Sequence, residues 1–322
     1  MAGSAATPRE YPICADRCGH RSRSGRAGDG CRQGASWLML ALQHQPLEEA
    51  PRMYDRILVP VDGSPFSEEV LPHALGILRA TGAPLSLLQV VDREDEQAEA
   101  ARYVGALASE LAADGRAVVA RGDLADTILA EARRVPGTLI AMTSHGRSGL
   151  MEAMMGSVAM RIVRASGDPV ILYRPRGAAV EGRRQAVKIN SVLLPLDGTQ
   201  VSEAMASQAA GMAQWLGADL SLVQAITPDS RPGADIPASD VMESSYVRTR
   251  AEDYRTRYGV RTSWEVLHGD PADAIARYLD GRRDVLLAMV TRARRPLEAA
   301  ILGSVTAGCL QKCGVPVVTR LP

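Results

Sequence analysis

Much that would announce a function is missing from this chain. Aromatic residues make up 4% of its 322 residues, with a single Phe, so its cores must be built from Ala, Val, Leu, Ile and Met. Neither sign of charge is in excess, because 37 Lys and Arg balance 37 Asp and Glu. That balance excludes a nucleic-acid binder whose affinity comes from neutralising many phosphates, yet leaves room for one small phosphate ligand. No uninterrupted apolar run is long enough to span a bilayer. The first residues lack the basic-then-apolar layout of a secretory signal. The expectation is a cytoplasmic protein with neither nucleic-acid nor membrane partners.

Cysteine is scarce as well. Of five, Cys14, Cys18 and Cys31 fall in the first fifty residues, while Cys309 and Cys313 stand four apart in a predicted helix. Nothing suggests a disulfide framework, and reduced thiols fit a cytosolic setting. Cys14, Cys18, His20 and Cys31 do not follow the usual paired-ligand spacing of a zinc site, so no metal is assigned there. No G-x-x-x-x-G-K-[ST] follows a strand and no G-x-G-x-x-G follows the first one, so a P-loop enzyme and a dinucleotide Rossmann domain both lack their phosphate loops. The S-G-G-x-D-S loop of ATP pyrophosphatases is absent at Asp62–Phe66.

What is present is a repeat. Asp55 to Asp62 reads D-R-I-L-V-P-V-D and runs into Gly63-Ser64; Ser191 to Asp197 reads S-V-L-L-P-L-D and runs into Gly198-Thr199. Later, L-M-E-A-M-M-G-S-V (Leu150 to Val158) is matched by L-E-A-A-I-L-G-S-V (Leu297 to Val305). Two copies of one domain are implied. Residues 1–52 are rich in Gly, Arg, Ser and Ala without sustained periodicity and read as a disordered extension, with a short helix conceivable near Trp37 to Leu42. Met53, directly before the first strand, is an alternative translation start. The first domain then covers 53–176, a Gly- and Arg-rich linker 177–188, and the second domain 189–322.

Within each copy, short apolar runs alternate with helical patterns. The first copy predicts strands at Ile57–Val61, Leu85–Val91, Ala117–Ala120, Thr138–Thr143 and Pro169–Tyr173. Its helices are expected at Pro65–Thr81 with Ser64 as cap, Glu94–Ala113, Leu124–Arg134 with Asp123 as cap, and Gly156–Ala165. The second copy repeats the order: strands at Ser191–Leu196, Asp219–Ala225, Arg261–Leu267, Val285–Val290 and Pro316–Thr319, and helices at Ser202–Leu216, Ser239–Tyr258, Ala272–Leu279 and Ser304–Cys313. It also carries a Pro-, Asp- and Gly-rich insertion, Thr227 to Ala238. Such alternation gives an α/β fold, a parallel sheet with helices on both faces.

One segment of the first copy has the makings of an anion site. Thr143-Ser144-His145-Gly146 leaves a strand, and nine residues later Gly156-Ser157 opens a helix. A helix start presents free N–H groups and the positive end of the dipole to an anion. Gly146 and Gly156 permit close approach of the backbone, and the Ser157 hydroxyl can donate to a phosphate oxygen. At the exit of the first strand, Asp62 can accept from a ribose hydroxyl; Val90, ending the second strand, offers backbone groups and a flat apolar wall to a base. Both places lie at the carboxyl ends of strands, where open α/β sheets bind ligands. A Ser157–His145 nucleophile and base pair has no third group to orient it. His145 is read instead as contacting phosphate or lying exposed. Met151, Met154 and Met155 read as a pliable packing stripe.

These residues resemble the universal stress protein family. The resemblance runs from Tyr54 to Pro175 and again from about Ile189 to Pro322. It rests on Pro60-Val61-Asp62-Gly63-Ser64, on Ser144-His145-Gly146-Arg147-Ser148-Gly149, and on Gly156-Ser157-Val158, which look like the ATP-binding subclass. Gly122-Asp123, Gly269-Asp270-Pro271, Asp168-Pro169-Val170 and Val315-Pro316-Val317 also match. The resemblance implies two tandem open five-stranded parallel sheets, order 3-2-1-4-5, of the adenine nucleotide alpha hydrolase type. It further implies an internal pseudo-dimer through the fifth strands, with a homodimer of the whole chain left open. For function it implies an ATP-binding regulator of the stress response, with Mg2+ as an optional companion and with little or no hydrolysis. Its alternatives are a non-nucleotide interaction module using the pseudo-dimer surface, and a slow ATPase. The site residues carried over are Pro60, Val61, Asp62, Val90, Thr143, Ser144, His145, Gly146, Gly149, Gly156, Ser157 and Val158. Thr143 stands where the pattern has a glycine, which restricts the dihedrals. In the second copy Val290, Ala293 and Pro296 replace pattern glycines, while Asp197, Ala225, Gly303 and Ser304 remain, so a weaker site is expected there. Arg292, Arg294 and Arg295 read as solvated surface charge.

Overall fold

The computed structural model describes residues 52–145, 155–177, 182, 184–227, 236–291 and 302–320, with backbone alone at 236–243. The expectations for residues 1–51, for Gly146, Gly149, Met151 and Met154, and for 292–301 lie outside the described residues. The first repeat runs β1 (Arg56–Val61), α1 (Leu71–Thr81), β2 (Leu85–Val91), α2 (Gln97–Leu111), β3 (Asp114–Val119), α3 (Leu124–Arg133), β4 (Thr138–Thr143), α4 (Ser157–Ala165) and β5 (Val170–Tyr173). The second runs β6 (Ser191–Pro195), α5 (Ala206–Leu216), β7 (Asp219–Ile226), α6 (Ile236–Tyr258), β8 (Thr262–His268), α7 (Pro271–Tyr278), β9 (Val285–Val290), α8 (Ser304–Lys312) and β10 (Val317–Arg320).

Inside each repeat every strand pairing is parallel, in the order implied by the resemblance. The two five-stranded sheets meet at their fifth strands, where the resemblance puts the internal pseudo-dimer. β5 and β10 pair antiparallel, with Val318 opposite Ile171, so the halves form one ten-stranded sheet, β3-β2-β1-β4-β5-β10-β9-β6-β7-β8. Each of these strands would otherwise present a row of unpaired N–H and C=O groups, and pairing them removes two open edges.

The strands are continuous apolar runs because helices cover both faces. Val59, Leu87, Leu194 and Leu222 face a core shared by α1, α2, α5 and α6. Leu58, Ile140, Leu193 and Leu287 face a second core under α3, α4, α7 and α8. Both cores run through both repeats. Across the join, Gln208 donates to the Tyr54 hydroxyl at 2.7 Å, and the rings of Tyr54 and Trp215 meet edge-on at 5.3 Å.

Several boundaries differ from expectation, each for a local reason. The helix expected from Pro65 begins as a 3-10 turn, Ser67–Val70, and becomes α-helical at Leu71, with Pro72 in its first turn where no N–H is required. Ser64, expected as the cap, is not the N-cap, which falls at Phe66; its Oγ accepts from the Ser67 N–H at 3.3 Å in the turn leading in. The helix expected from Glu94 likewise opens with a 3-10 turn, Glu94–Glu96, before Gln97. β3 begins earlier, at the polar pair Asp114-Gly115, because backbone pairing with β2 holds it rather than burial. In the second repeat the helix expected from Ser202 divides into one turn, Gln200–Glu203, and α5. The insertion at 227–238 gives way to α6 already at Ile236.

The linker is anchored where it is described. The Val187 N–H donates to the Pro72 carbonyl at 2.8 Å. A Cβ on Gly76 would lie 1.8 Å from the Val187 carbonyl oxygen, so only glycine lets this segment cross α1. Near its start, the buried Glu69 carboxylate accepts from the Arg176 and Gly177 N–H groups at 2.6 and 2.9 Å. Further on, Arg184 pairs with buried Glu68 at 2.8 Å and with Glu110 at 3.0 Å.

Candidate functional site

Both repeats build the same turn after their first strand. The Asp62 Oδ1 accepts from the Ser64 N–H at 2.9 Å, and Gly63 takes a φ of 80°. The Ser67 hydroxyl accepts from the Asp62 N–H at 3.2 Å and donates to the Ser64 carbonyl at 2.8 Å. In the second repeat the Asp197 Oδ1 accepts from the Thr199 N–H at 3.0 Å, Gly198 has a φ of 79°, and Ser202 takes the role of Ser67. A carboxylate turned back on its own loop in this way presents its second oxygen in a fixed direction.

The exit of β4 forms the opposite wall. Ser144 is fully buried and its N–H donates to the Tyr173 carbonyl at 2.7 Å. The Thr143 hydroxyl donates to the His145 carbonyl at 2.9 Å, and the Ser144 Oγ lies 3.0 Å from the His145 Nδ1. His145 is therefore buried and held by its neighbour, which removes the exposed alternative of the two expected for it. The dihedral restriction expected at Thr143 produces no strain, because Ala112 is the residue other than glycine with positive φ among the described residues. Met155 packs into the second core, as a packing residue should.

α4 starts at Ser157 with Gly156 as its N-cap, which supplies no side-chain cap. The preceding helix, α3, is capped by Asp123, whose carboxylate accepts from the Ala125 N–H at 2.8 Å. The same contrast recurs in the second repeat, where Asp270 caps α7 and Gly303 leaves α8 without a side-chain cap. Free N–H groups at a helix start are an anion site only if space lies before them. Here the Gly156 N–H donates to the Ser144 carbonyl at 2.8 Å, and a Cβ on Gly156 would press on that oxygen at 3.1 Å.

The space is a cleft of about 410 Å³. It brings together Pro60, Val61 and Asp62 from β1, Val90 from β2, Thr143, Ser144 and His145 from β4, and Gly156, Ser157 and Val158 from α4. Every described member of the expected first set thus lines one cavity. Leu124, Ile128 and Met142 add an apolar wall, and Ser67, Gln89, Asp92 and Glu96 add polar groups that the motifs did not point to. Among the described lining residues none is Lys or Arg. Nor do the described residues hold a cluster of three or more His, Cys, Asp or Glu that could take a metal. A second cavity, of about 250 Å³, contains Asp197, Ala225, Gly303 and Ser304. There Val290 stands in place of Thr143, and the Thr306 hydroxyl donates to the Val290 carbonyl at 3.2 Å, tying α8 to the end of β9.

Outside these cavities, Cys309 and Cys313 are free and buried, and no described helix is long and apolar enough to cross a membrane.

Comparison with known proteins agrees with this architecture. The model of the universal stress protein family matches residues 53–174 and 188–319. A universal stress protein of Methanocaldococcus jannaschii is 27% identical over 161 residues, 43% of this chain and 95% of that protein. One from Mycobacterium tuberculosis is 27% identical over 184 residues, 56% of this chain and 60% of its own length. The crystal structure of a universal stress protein from Archaeoglobus fulgidus superimposes with a TM-score of 0.60 at 20% identity, covering 83% of this chain and 98% of that one, and so shares the fold. With its family model matched twice and the same α/β architecture in both halves, the chain belongs to the universal stress protein family.

Proposed function

We propose that the first repeat binds ATP and that the chain acts as a nucleotide-dependent regulator with little or no hydrolysis. One observation carries this reading: the uncapped start of α4 faces Asp62 across an open cleft of about 410 Å³. Cofactor pockets of about 300 Å³ and upward are the usual size. In this reading the phosphates rest on the Ser157 and Val158 N–H groups and the Ser157 hydroxyl, a ribose hydroxyl donates to Asp62, and the base lies against Val90, Ile128 and Met142. Mg2+, when present, enters on the triphosphate rather than through a protein cage.

Little or no hydrolysis is part of this proposal, supported by the His145 Nδ1 lying against the Ser144 hydroxyl. The second repeat, with its smaller cavity and Val290, holds a weakened site. Equilibrium dialysis of the whole chain with ATP tests the assignment. Saturable binding of one ATP per chain, lost in Asp62→Ala and Ser157→Ala, is the expected result; absence of binding overturns it. Steady release of ADP that disappears with the same variants would instead make the protein an ATPase.

A further inference from the structure

A cavity of about 300 Å³ lies at the other end of the first repeat, where β1, β2 and β3 begin and α3 ends. Side-chain alternation fixes which groups face it. Leu58 and Leu88 point into the core under α3, so Arg56 and Ser86, two residues earlier on the same strands, point the same way. Asp114 and Arg116 stand opposite Ser86 and Leu88 and share that face. Leu58, Leu88 and Val135 make an apolar floor. Around it stand the guanidinium groups of Arg56, Arg116 and Arg134 and the carboxylates of Asp114 and Glu131.

These cations are incompletely matched. Glu131 is shared between Arg116 at 3.5 Å and Arg134 at 3.4 Å, and at that length, with both arginines half-exposed, it holds neither tightly. Arg56 lies deeper. Its Nε donates to the Thr138 hydroxyl at 3.0 Å, and its Nη2 to the Glu131 and Ala132 carbonyls at 2.8 and 3.2 Å. Those bonds close the end of α3 and leave Nη1 without a partner among the described residues. Burial holds this guanidinium below its ordinary range, with Glu131 opposing and Arg134 adding to the fall. The Ser86 hydroxyl has no partner among the described residues either. The second repeat shows the same place closed. The strand registers put Ser191, Ser221 and Ser263 where Arg56, Ser86 and Asp114 stand, and their hydroxyls bond one another at 2.8 and 2.9 Å. Glu265 replaces Arg116; counted from the helix caps, Tyr278 and Gly281 replace Glu131 and Arg134. All three arginines are thus particular to the first repeat.

We infer that this cavity is an anion site, taking the phosphate or carboxylate group of a small molecule between Arg56, Ser86, Arg116 and Arg134. Guanidinium forks match the paired oxygens of either group. The apolar floor takes a short carbon skeleton, and Asp114 opposes the bound charge. None of the charged residues here lines the nucleotide cleft, so the inference stands apart from the nucleotide reading.

The test is calorimetric titration of the whole chain with inorganic phosphate, pyrophosphate and succinate at constant ionic strength. A saturable site for at least one of them is expected; the phosphates assign a phosphate ligand, succinate a carboxylate one. Arg116→Gln and Arg134→Gln are each expected to weaken that binding about ten- to a hundredfold, the worth of charge-assisted hydrogen bonds, and Ser86→Ala about three- to tenfold. Asp114→Asn is expected to tighten it, which loss of a merely structural aspartate would not do. Gly156→Val, at the start of α4, is expected to leave it unchanged. Absence of a saturable site overturns the inference. Binding that both arginine variants keep in full also overturns it, and its loss in Gly156→Val would then place the anion in the nucleotide cleft.

Discussion

Glu68 and Glu203 occupy the same place in the two repeats, just after the turn that carries the first-strand aspartate. Each accepts from a tyrosine on the next long helix, Tyr103 and Tyr246, both at 2.6 Å. Their second partners differ. Arg184, which pairs with Glu68 at 2.8 Å, comes from the segment joining the repeats; Arg250, which pairs with Glu203 at 2.9 Å, comes from α6 of the same repeat. Glu69 also looks outward, to the Arg176 and Gly177 N–H groups. The first repeat therefore relies on the joining segment to hold the loop behind its cleft, while the second relies on itself. A tandem copy can thus keep its own scaffold while the other recruits shared parts. The copy with the larger cleft is the one that recruits them.

The difference between the clefts can be broken most directly at the helix starts. Gly156→Val places a side chain against the Ser144 carbonyl and over the first N–H groups of α4, and is expected to abolish ATP binding. Gly303→Val is expected to leave a calorimetric stoichiometry of one unchanged. Two equal sites in the wild type would erase the distinction between the repeats.

A second contrast is sharpened by acid. His73 on α1 is replaced at the equivalent position of α5 by Gln208. Burial pushes the His73 imidazole down from 6.5 to about 4, with the Arg283 backbone pulling the other way and the Arg283 charge adding to the fall. Between these values the unfolded chain holds a proton that the native chain refuses. Stability is therefore full above pH 6.5 and falls as the pH drops towards 4, by about 3 kcal/mol in all. Denaturant titrations across that range should show the slope in wild type and its loss in His73→Leu. No slope in wild type would mean that His73 protonates without cost.

The glutamate clamps come next. Arg184→Ala leaves Glu68 buried with one partner fewer and is expected to cost about 1–3 kcal/mol. Arg250→Ala, at a more exposed pair, is expected to cost under about 1 kcal/mol. Thermal melts that reverse this order would deny the joining segment its role. The smallest effect expected is at the helix ends. α2 closes on Ala112 with a φ of 52°, whereas α6 closes on Gly259 with a φ of 64°. Ala112→Gly should stabilise by about 1 kcal/mol and Gly259→Ala should destabilise by a similar amount, read from denaturant midpoints.

The α/β class, the repeat and nearly every strand were legible in the sequence because buried parallel strands are continuous apolar runs: Val285–Val290 is such a run from end to end, and Thr138–Thr143 is one between its terminal threonines. The start of β3 carries no apolar signal, because its first residues, Asp114 and Gly115, are exposed. In the cleft, Asp62, Gly156 and Ser157 were legible from motifs whose residues are close in sequence. Gln89, Asp92 and Glu96 were not, since a lone polar residue at a strand end looks like any turn to solvent. Burial of Glu68 and Glu69 was illegible for a different reason. Their partners, Arg176, Gly177 and Arg184, lie more than a hundred residues further along the chain, beyond the reach of any local pattern.

The seam between β5 and β10 has a consequence for how the molecule is made. β10 leaves the ribosome after every other described strand, and it is the neighbour β5 pairs with. Throughout synthesis of the second repeat the first must wait with one side of its sheet bare, a surface on which another nascent copy could lay its own strand. A ribosome stalled before Val317 therefore yields a sticky product rather than a merely shorter one.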